Sequence, residues 1–278
     1  GTGMVLCALL CAVASAQEHP SVEKHVTLIK ESGRFSAWPA NRGIWSWGNE
    51  ILVGIVHGYY KEDPGGSHDI DRDKESDDIL ARSMDGGETW KIEARTVEAP
   101  AGEVPAAAYD FQAEGVALNF RGGNWFISQN RGKTWVGPYS LPDNYLSFIR
   151  RGGKFDGQKS WWVEPYLSPD DGKSWYLLEN PRIENAGNPA TLTRLSNGDL
   201  ALAYGWRSAP YGVRARISDD NGQTWSNERI LRADGASWDI GYPRTVQRPD
   251  GKCVTIYYFH HPDQEERYIS ATIWDPAA

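Results

Sequence analysis

An eight-residue phrase returns four times in this chain: SMDGGETW at 83–90, SQNRGKTW at 128–135, SPDDGKSW at 168–175 and SDDNGQTW at 218–225. The serines that open the copies, at 83, 128, 168 and 218, stand 45, 40 and 50 residues apart. A period of that length marks a supersecondary unit that cannot bury its own apolar face and must stack on neighbours. Within the phrase, Ser and Asp side chains can bond backbone amides of their own turn, Gly allows a turn conformation closed to other residues, and Trp can plug a gap between sheets. These roles make the phrase a structural staple. Asn130, where the other copies carry Asp, fits a turn and would be awkward for catalysis.

Between the copies lie short segments rich in β-branched and aromatic residues and bounded by Gly, Asn, Asp and Pro, among them EILVGIVHGYY (50–60), NWFISQ (124–129), LALAYGW (200–206), CVTIYYFHH (253–261) and RYISATIW (267–274). Such segments are strand-like, and no long amphipathic helix stands among them. The predicted fold class is all-β: a β-propeller of four-stranded blades in which the phrase forms the turn from strand three to strand four. Units at 43–95, 107–138, 145–180, 185–231 and 238–275 count five blades, with HVTLIK (25–30) free to close the ring as the outer strand of the last. Six blades is the alternative. The third unit is thin, since PYSLPDN leaves little room for a first strand.

The 278 residues carry a net charge of −8, which excludes a nucleic-acid partner because phosphate binding needs a basic face. Residues Met4 to Ala16, MVLCALLCAVASA, form a short apolar stretch ending in a small-x-small pattern. Residues 1–16 therefore read as a signal peptide and 17–278 as one exported domain, secreted or periplasmic, with no later membrane span. Export removes Cys7 and Cys11 and leaves Cys253 as the one cysteine. A propeller closes its own sheet edges, so a monomer is expected.

The repeated phrase resembles the Asp-box, or BNR repeat, of sialidase-like propellers of the neuraminidase superfamily, and the resemblance runs from about residue 24 to 275. The family is similar to a six-bladed ring, so this chain is one blade short. The resemblance implies an active site on the face away from the boxes, with three arginines on a sugar carboxylate, a Tyr nucleophile activated by a Glu, and an Asp acid/base on a blade-one loop. A neutral phenol suits an anionic sugar, which would repel an attacking carboxylate. GYPRTVQRPDGKCVTIYY is similar to the segment carrying the nucleophile and points to Tyr242. YGVRARISDDNGQTW points to Arg214, and LSFIRR to Arg150 or Arg151. The acid/base falls in the loop from His57 to Asp78, on Asp73 or else Asp71. Where the family begins with Arg-Ile-Pro this chain reads FSAWPANRG, leaving Arg34 or Arg42 to substitute. The activating Glu falls in a region missing here, with Glu164 or Glu184 as stand-ins.

The residues argue in the same direction. Loops joining strands two and three, and turns entering the inner strands, line a propeller mouth. There they place Arg150, Arg151, Arg207 and Arg214, His260 and His261, with Asn188, Asp239, Tyr242 and Arg244. The planar fork of arginine binds a carboxylate or sulfate bidentately. Each has a plainer reading: Tyr242 as a core aromatic, the histidines as exposed loop residues. Asp69, Asp71 and Asp73 imitate the start of a calcium loop, but Lys74 and Leu80 stand where a Gly and a bidentate Glu are needed, so a solvated acidic loop is favoured. No phosphate loop, nucleophile elbow or zinc spacing is present, and no cofactor is implied. The expectation is a secreted glycoside hydrolase of the sialidase-like group, removing a terminal anionic sugar, sialic-acid-like or uronic, from a glycan. The alternative is a non-catalytic glycan-binding or scaffold propeller, and a fainter third reading is a glycan lyase.

Overall fold

The computed structural model describes residues 18–63, 67–95, 97–99, 110, 113–121, 124–140, 161–163, 166–170, 174, 176–178, 183–185 and 188–278. They are built almost wholly of strands. In chain order these are β1 (Val22–Ile29), β2 (Arg34–Ala37), the single-turn helix α1 (Pro39–Arg42), β3 (Ile44–Trp47), β4 (Glu50–Tyr59), β5 (Asp77–Ser83), β6 (Lys91–Ala94), β7 (Val97–Ala99), β8 (Ala117–Arg121), β9 (Asn124–Ser128), β10 (Trp135–Ser140), β11 (Trp161–Val163), β12 (Tyr166–Leu167), β13 (Tyr176–Leu177), β14 (Ile183–Asn185), β15 (Ala190–Arg194), β16 (Leu200–Trp206), β17 (Tyr211–Ser218), β18 (Arg229–Gly235), β19 (Gly241–Gln247), β20 (Cys253–Phe259) and β21 (Tyr268–Trp274). Among the described residues no helix is long and apolar enough to cross a membrane.

The strands form consecutive meandering sheets with the order of propeller blades: β15-β16-β17-β18 in one, and β19-β20-β21 with β1 added at the outer edge of the last. The expected clasp by the N-terminal segment is therefore present, with Val26 opposite Ala271 and Ile29 opposite Ile269. Every residue of β20 and of β21 is buried. Such unbroken burial, which takes in Thr255, Ser270 and Thr272, follows from position, since middle strands have a neighbouring sheet on each face. One cluster joins the last sheet to the first (Val254, Ile256 and Ile273 with Ile51, Val53 and Ala81). A second joins it to the fourth unit (Tyr257, Phe259 and Trp274 with Ala201, Val213 and Leu231).

Two departures from the sequence reading stand out. The first sheet begins at Arg34 rather than residue 43, because its inner strand is split: β2 and β3 both pair with β4, one against Val56–Tyr59 and the other against Glu50–Val53. Between them Trp38 takes a left-handed φ of 56° and Pro39, which has no N–H to lose, opens α1. In the second sheet the described outer strand is β7, which lies parallel to β10 and comes from the connection after the first sheet. In the third unit, β12 and β13 flank the third box and β11 pairs with β14.

The boxes behave as staples. In the first, Ser83 Oγ accepts from Gly87 N–H at 2.8 Å, Asp85 accepts from Thr89 N–H at 2.9 Å and Oγ1 at 2.6 Å, and Trp90 Nε1 donates to Gly87 O at 3.0 Å. The same bonds recur around Ser218, Asp220, Gly222 and Trp225. The third keeps those of Asp170 to Ser174, and its Gly172 and Trp175 lie outside the described residues. Two successive positive-φ residues turn three of the tips: Gly86 and Gly87, Arg131 and Gly132, Asn221 and Gly222. Each of these three leans on the preceding sheet. Gly87 sits over Val254, Gly132 over Leu52 and Gly222 near Leu178. Arg131 ties the second box to Glu50 at 2.9 Å, and Arg248 of the last sheet reaches Glu88 of the first at 2.9 Å.

Candidate functional site

Strand direction decides which residues meet at the far ends from the boxes. The β4–β5 loop, the β16–β17 loop, the β20–β21 loop and the entry to β19 all lie there, since each box follows the other end of its strand pair. At that end the structure gathers Trp38, His68, Arg207, Trp238, Asp239, Tyr242, Tyr258 and Arg267.

Asp239 is the hub. It is 1% exposed, and its Oδ1 accepts from Tyr258 Oη at 2.6 Å and from His68 Nδ1 at 2.6 Å, while Oδ2 faces Arg267 Nε at 3.3 Å. Burial pushes this carboxyl up, but the hydrogen bonds from His68 and Tyr258 and the charges of His68 and Arg267 outweigh it and hold Asp239 below the ordinary carboxylate range. Burial and the neighbouring Asp239 push the Tyr258 phenol well up, so it stays a donor. Arg207 Nη2 donates to the Tyr258 oxygen at 2.9 Å, and its guanidinium lies 5.3 Å from the Trp238 ring centroid and 5.5 Å from that of Tyr242. Tyr242 packs edge-on against Tyr258 at 5.9 Å and holds a left-handed φ of 50°. Trp238 is 37% exposed.

A second group adjoins across α1, at the seam of the first and second sheets. Asp78 receives Arg42 Nε at 2.7 Å and faces Arg121 Nε at 2.6 Å, while Arg95 donates to Asn119 at 2.9 Å. Two guanidinium groups thus share one carboxylate, with a third held beside them on Asn119. Nε and Nη2 of Arg95 are buried without a hydrogen-bond partner. Its charge is disfavoured by burial first, then by Arg121 and Arg42, with Asp78 opposing.

The structure brings together Arg207, Tyr242 and Asp239 of the residues singled out by sequence, with Asp69 beside them through Arg267 at 2.8 Å. Arg214 lies apart. It is 2% exposed and donates to the carbonyls of Pro210, Val213 and Arg232, with Glu228 at 3.2 Å. Arg244 donates to Ala40 O at 2.6 Å beneath α1. Asp73 pairs with Lys61 at 2.8 Å, and Asp71 with Lys61 and Lys74 at 3.5 Å each. His260 bonds Ser237 and the Gln264 carbonyl, and His261 pairs with Asp263 and Asp234. Arg34 is engaged with Asp77 at 2.8 Å. Glu184 lies on β14, in backbone register with Trp162 of β11. Arg150, Arg151 and Glu164 lie outside the described residues. Sequence reasoning missed His68, Tyr258, Arg95 and Arg121. The signal for Arg121 was available, since it ends a second strand just before a strand-two-to-three turn.

A cleft of about 840 Å³ opens on the box face, between the fourth and last sheets, lined in part by Asp219, Trp225, Arg229 and Asp275. Arg229 there is spent on the carbonyls of Asp275 and Pro276, so the convergent donors lie at the other end. Among the described residues no group of three or more His, Cys, Asp or Glu side chains is placed to hold a metal ion.

Comparison with known proteins shows a likeness of repeat and of fold. Residues 216–227 match the BNR/Asp-box repeat. No curated protein matches the chain. A protein of unknown function from Dyadobacter fermentans has a similar structure, with a TM-score of 0.59, 20% identity, and 92% of this chain and 99% of that one covered. An α-L-arabinofuranosidase from Podospora anserina, solved with cellotriose, gives a TM-score of 0.45 at 12% identity over 94% of this chain and 100% of its own. An endo-1,4-β-xylanase from Bacteroides thetaiotaomicron gives 0.39 at 14% identity over 84% and 89%. The shared fold rests on the first of these.

Proposed function

We propose that this chain is an exported, monomeric, five-bladed propeller of the sialidase-like group that cleaves a terminal anionic sugar, sialic-acid-like or uronic, from a glycan. The observation that carries the reading is Tyr242. A tyrosine in the left-handed region is strained by about 1–3 kcal/mol, and strain of this kind persists where surrounding structure imposes it. Here it sets the phenol beside Arg207, in front of the Tyr258–Asp239 pair and next to an exposed tryptophan that can stack on a sugar ring. The sugar's carboxylate has guanidinium partners in Arg207 and in the group formed by Arg42, Arg95 and Arg121. Arg150 and Arg151 remain candidates for the same anion, Asp73 or Asp71 for the acid/base, and Glu164 or Glu184 for the base that activates Tyr242.

The test is turnover of aryl sialosides and aryl glucuronides by the mature chain and by Tyr242→Phe. Loss of at least about 100-fold in the variant supports the nucleophile, and undiminished turnover removes it. The second reading, a glycan-binding propeller without turnover, is favoured by the state of Asp239, which is buried and already shared among three side chains. Saturable binding of the same sugars by calorimetry with no hydrolysis decides for it.

A further inference from the structure

The hydrogen bonds around Asp239 have only one consistent direction. Arg207 has no acceptor atom, so the Tyr258 oxygen accepts from it at 2.9 Å and the phenol proton is left to point at Asp239 Oδ1, 2.6 Å away. Asp239, with Arg267 Nε facing its other oxygen at 3.3 Å, accepts as the anion. The His68 nitrogen that meets Oδ1 at 2.6 Å is Nδ1, and a carboxylate anion can only accept there, so Nδ1 carries a proton. The ring's exchangeable position is then Nε2, on the far side from the buried carboxylate. A carboxylate behind Nδ1 fixes the tautomer and the orientation of the ring, the arrangement by which a buried acid positions a histidine.

The ring also lies between two tryptophans. His68 stands edge-on to Trp38 at 5.1 Å and 78°, and 5.7 Å from Trp238, the exposed ring over which Arg207 lies. Asp239 itself, at 1% exposure, touches no substrate. The two carboxylates assigned from sequence are less suited to give a proton. Asp73 is 82% exposed on its side chain and paired with Lys61. For Asp71, burial works in favour of the proton, but a bond from Asp73 N–H and the charges of Lys61 and Lys74 prevail and hold it below the ordinary range. Such a carboxyl is ionised near neutral pH, where a general acid must hold a proton.

We propose that His68, oriented by Asp239, is the proton donor of this site, delivering its Nε2 proton to the bridging oxygen of an anionic glycoside seated against Trp38 and Trp238. The proposal rests on the hydrolase reading above. As the bond from the anomeric carbon to the bridging oxygen breaks, its electron pair goes to that oxygen, which takes the Nε2 proton and leaves as an alcohol. The Tyr242 oxygen bonds the anomeric carbon and its proton passes to the activating base and from there to solvent. Water then attacks that carbon, giving one proton to the neutral Nε2, while the released Tyr242 oxygen regains a proton from solvent. The sum is glycoside plus water to free sugar plus alcohol.

The test compares leaving groups. Methyl glycosides of N-acetylneuraminic acid and of glucuronic acid need a proton on departure, and their para-nitrophenyl glycosides do not. His68→Gln is expected to lower turnover of the methyl glycosides by at least about 100-fold and of the para-nitrophenyl glycosides by less than about 10-fold. Equal losses on both, as a merely structural role gives, overturn the proposal, and so does an unchanged methyl-glycoside rate. No turnover of any glycoside by the unaltered chain overturns the hydrolase reading and this role with it, a result distinct from equal losses in an active enzyme. Nitrogen-15 spectra of the unaltered chain give a check that needs no variant: Nδ1–H with Nε2 titrating is expected, and an Nε2–H tautomer in the neutral ring overturns the proposal.

Discussion

Ser83, Ser128 and Ser218 do the same work at three tips: each hydroxyl is buried and accepts the amide of the glycine four residues on, at 2.8 Å. Ser83→Ala would leave the Gly87 amide buried and unpaired, and a loss of about 1–3 kcal/mol in urea denaturation is expected. Asn130 shows that the box needs an acceptor at that position more than a charge. Its amide donates to Thr134 Oγ1 at 2.8 Å, whereas in the other copies the hydroxyl donates to Asp. Cys253 is fully buried, and burial, with Asp275 adding to it, pushes its thiol up to about 12. The thiolate is the reactive form, so Cys253 in the native chain should resist iodoacetamide at pH 8 and become labelled only in denaturant.

At the scale of elements, the tip of one sheet is part of the core of another. Gly132 and Gly222 both hold positive φ, yet a methyl on Gly132 would sit 2.2 Å from Leu52 Cδ2, while on Gly222 its nearest neighbour is 3.6 Å away. Gly222→Ala should cost about 1 kcal/mol for the backbone alone. Gly132→Ala adds overpacking of a further 1–3 kcal/mol or so, and the difference between the two in thermal denaturation checks the inter-sheet contact. The split inner strand was not legible as such. FSAWPANRG contains one proline, which sequence reasoning can place at a helix start or in a loop alike. That β2 and β3 share one edge of β4 follows only from long-range pairing.

Across the whole molecule, pH acts through buried groups. His57 has its proton disfavoured by burial and then by Arg34, with Glu31 and Asp77 opposing, and His260 by burial and then by Arg267, with the Gln264 carbonyl, Asp69 and Asp239 opposing. The unfolded chain binds those protons near 6.5, the ordinary histidine value. Stability is therefore full above that pH and falls as pH drops below it. Asp239 and Asp234, held below 3.8 against the burial that pushes them up, add a second loss as pH falls through that region. A melting-temperature profile should be level above pH 7 and descend in two stages, the first shallower in His57→Gln. Removing residues 18–29 would bare the edge of β21, and the expected outcome by circular dichroism is a lower, broader transition, since the last sheet then has no clasp.

The sequence by itself determined the repeating unit, the all-strand class, the staple role of the boxes and the N-terminal strand's place on the last sheet. Each is written in local patterns: turn chemistry, apolar runs and a period. It also pointed to Tyr242, Arg207 and Asp239, because strand order tells which loops share an end. Only the tertiary structure decided that Arg214 and Arg244 bond backbone carbonyls, and that His68, from a loop otherwise read for its acids, meets a carboxylate 171 positions away. The physical reason is that a guanidinium or imidazole is claimed by whichever acceptor folding brings within 3 Å or so, and no local pattern encodes that partner.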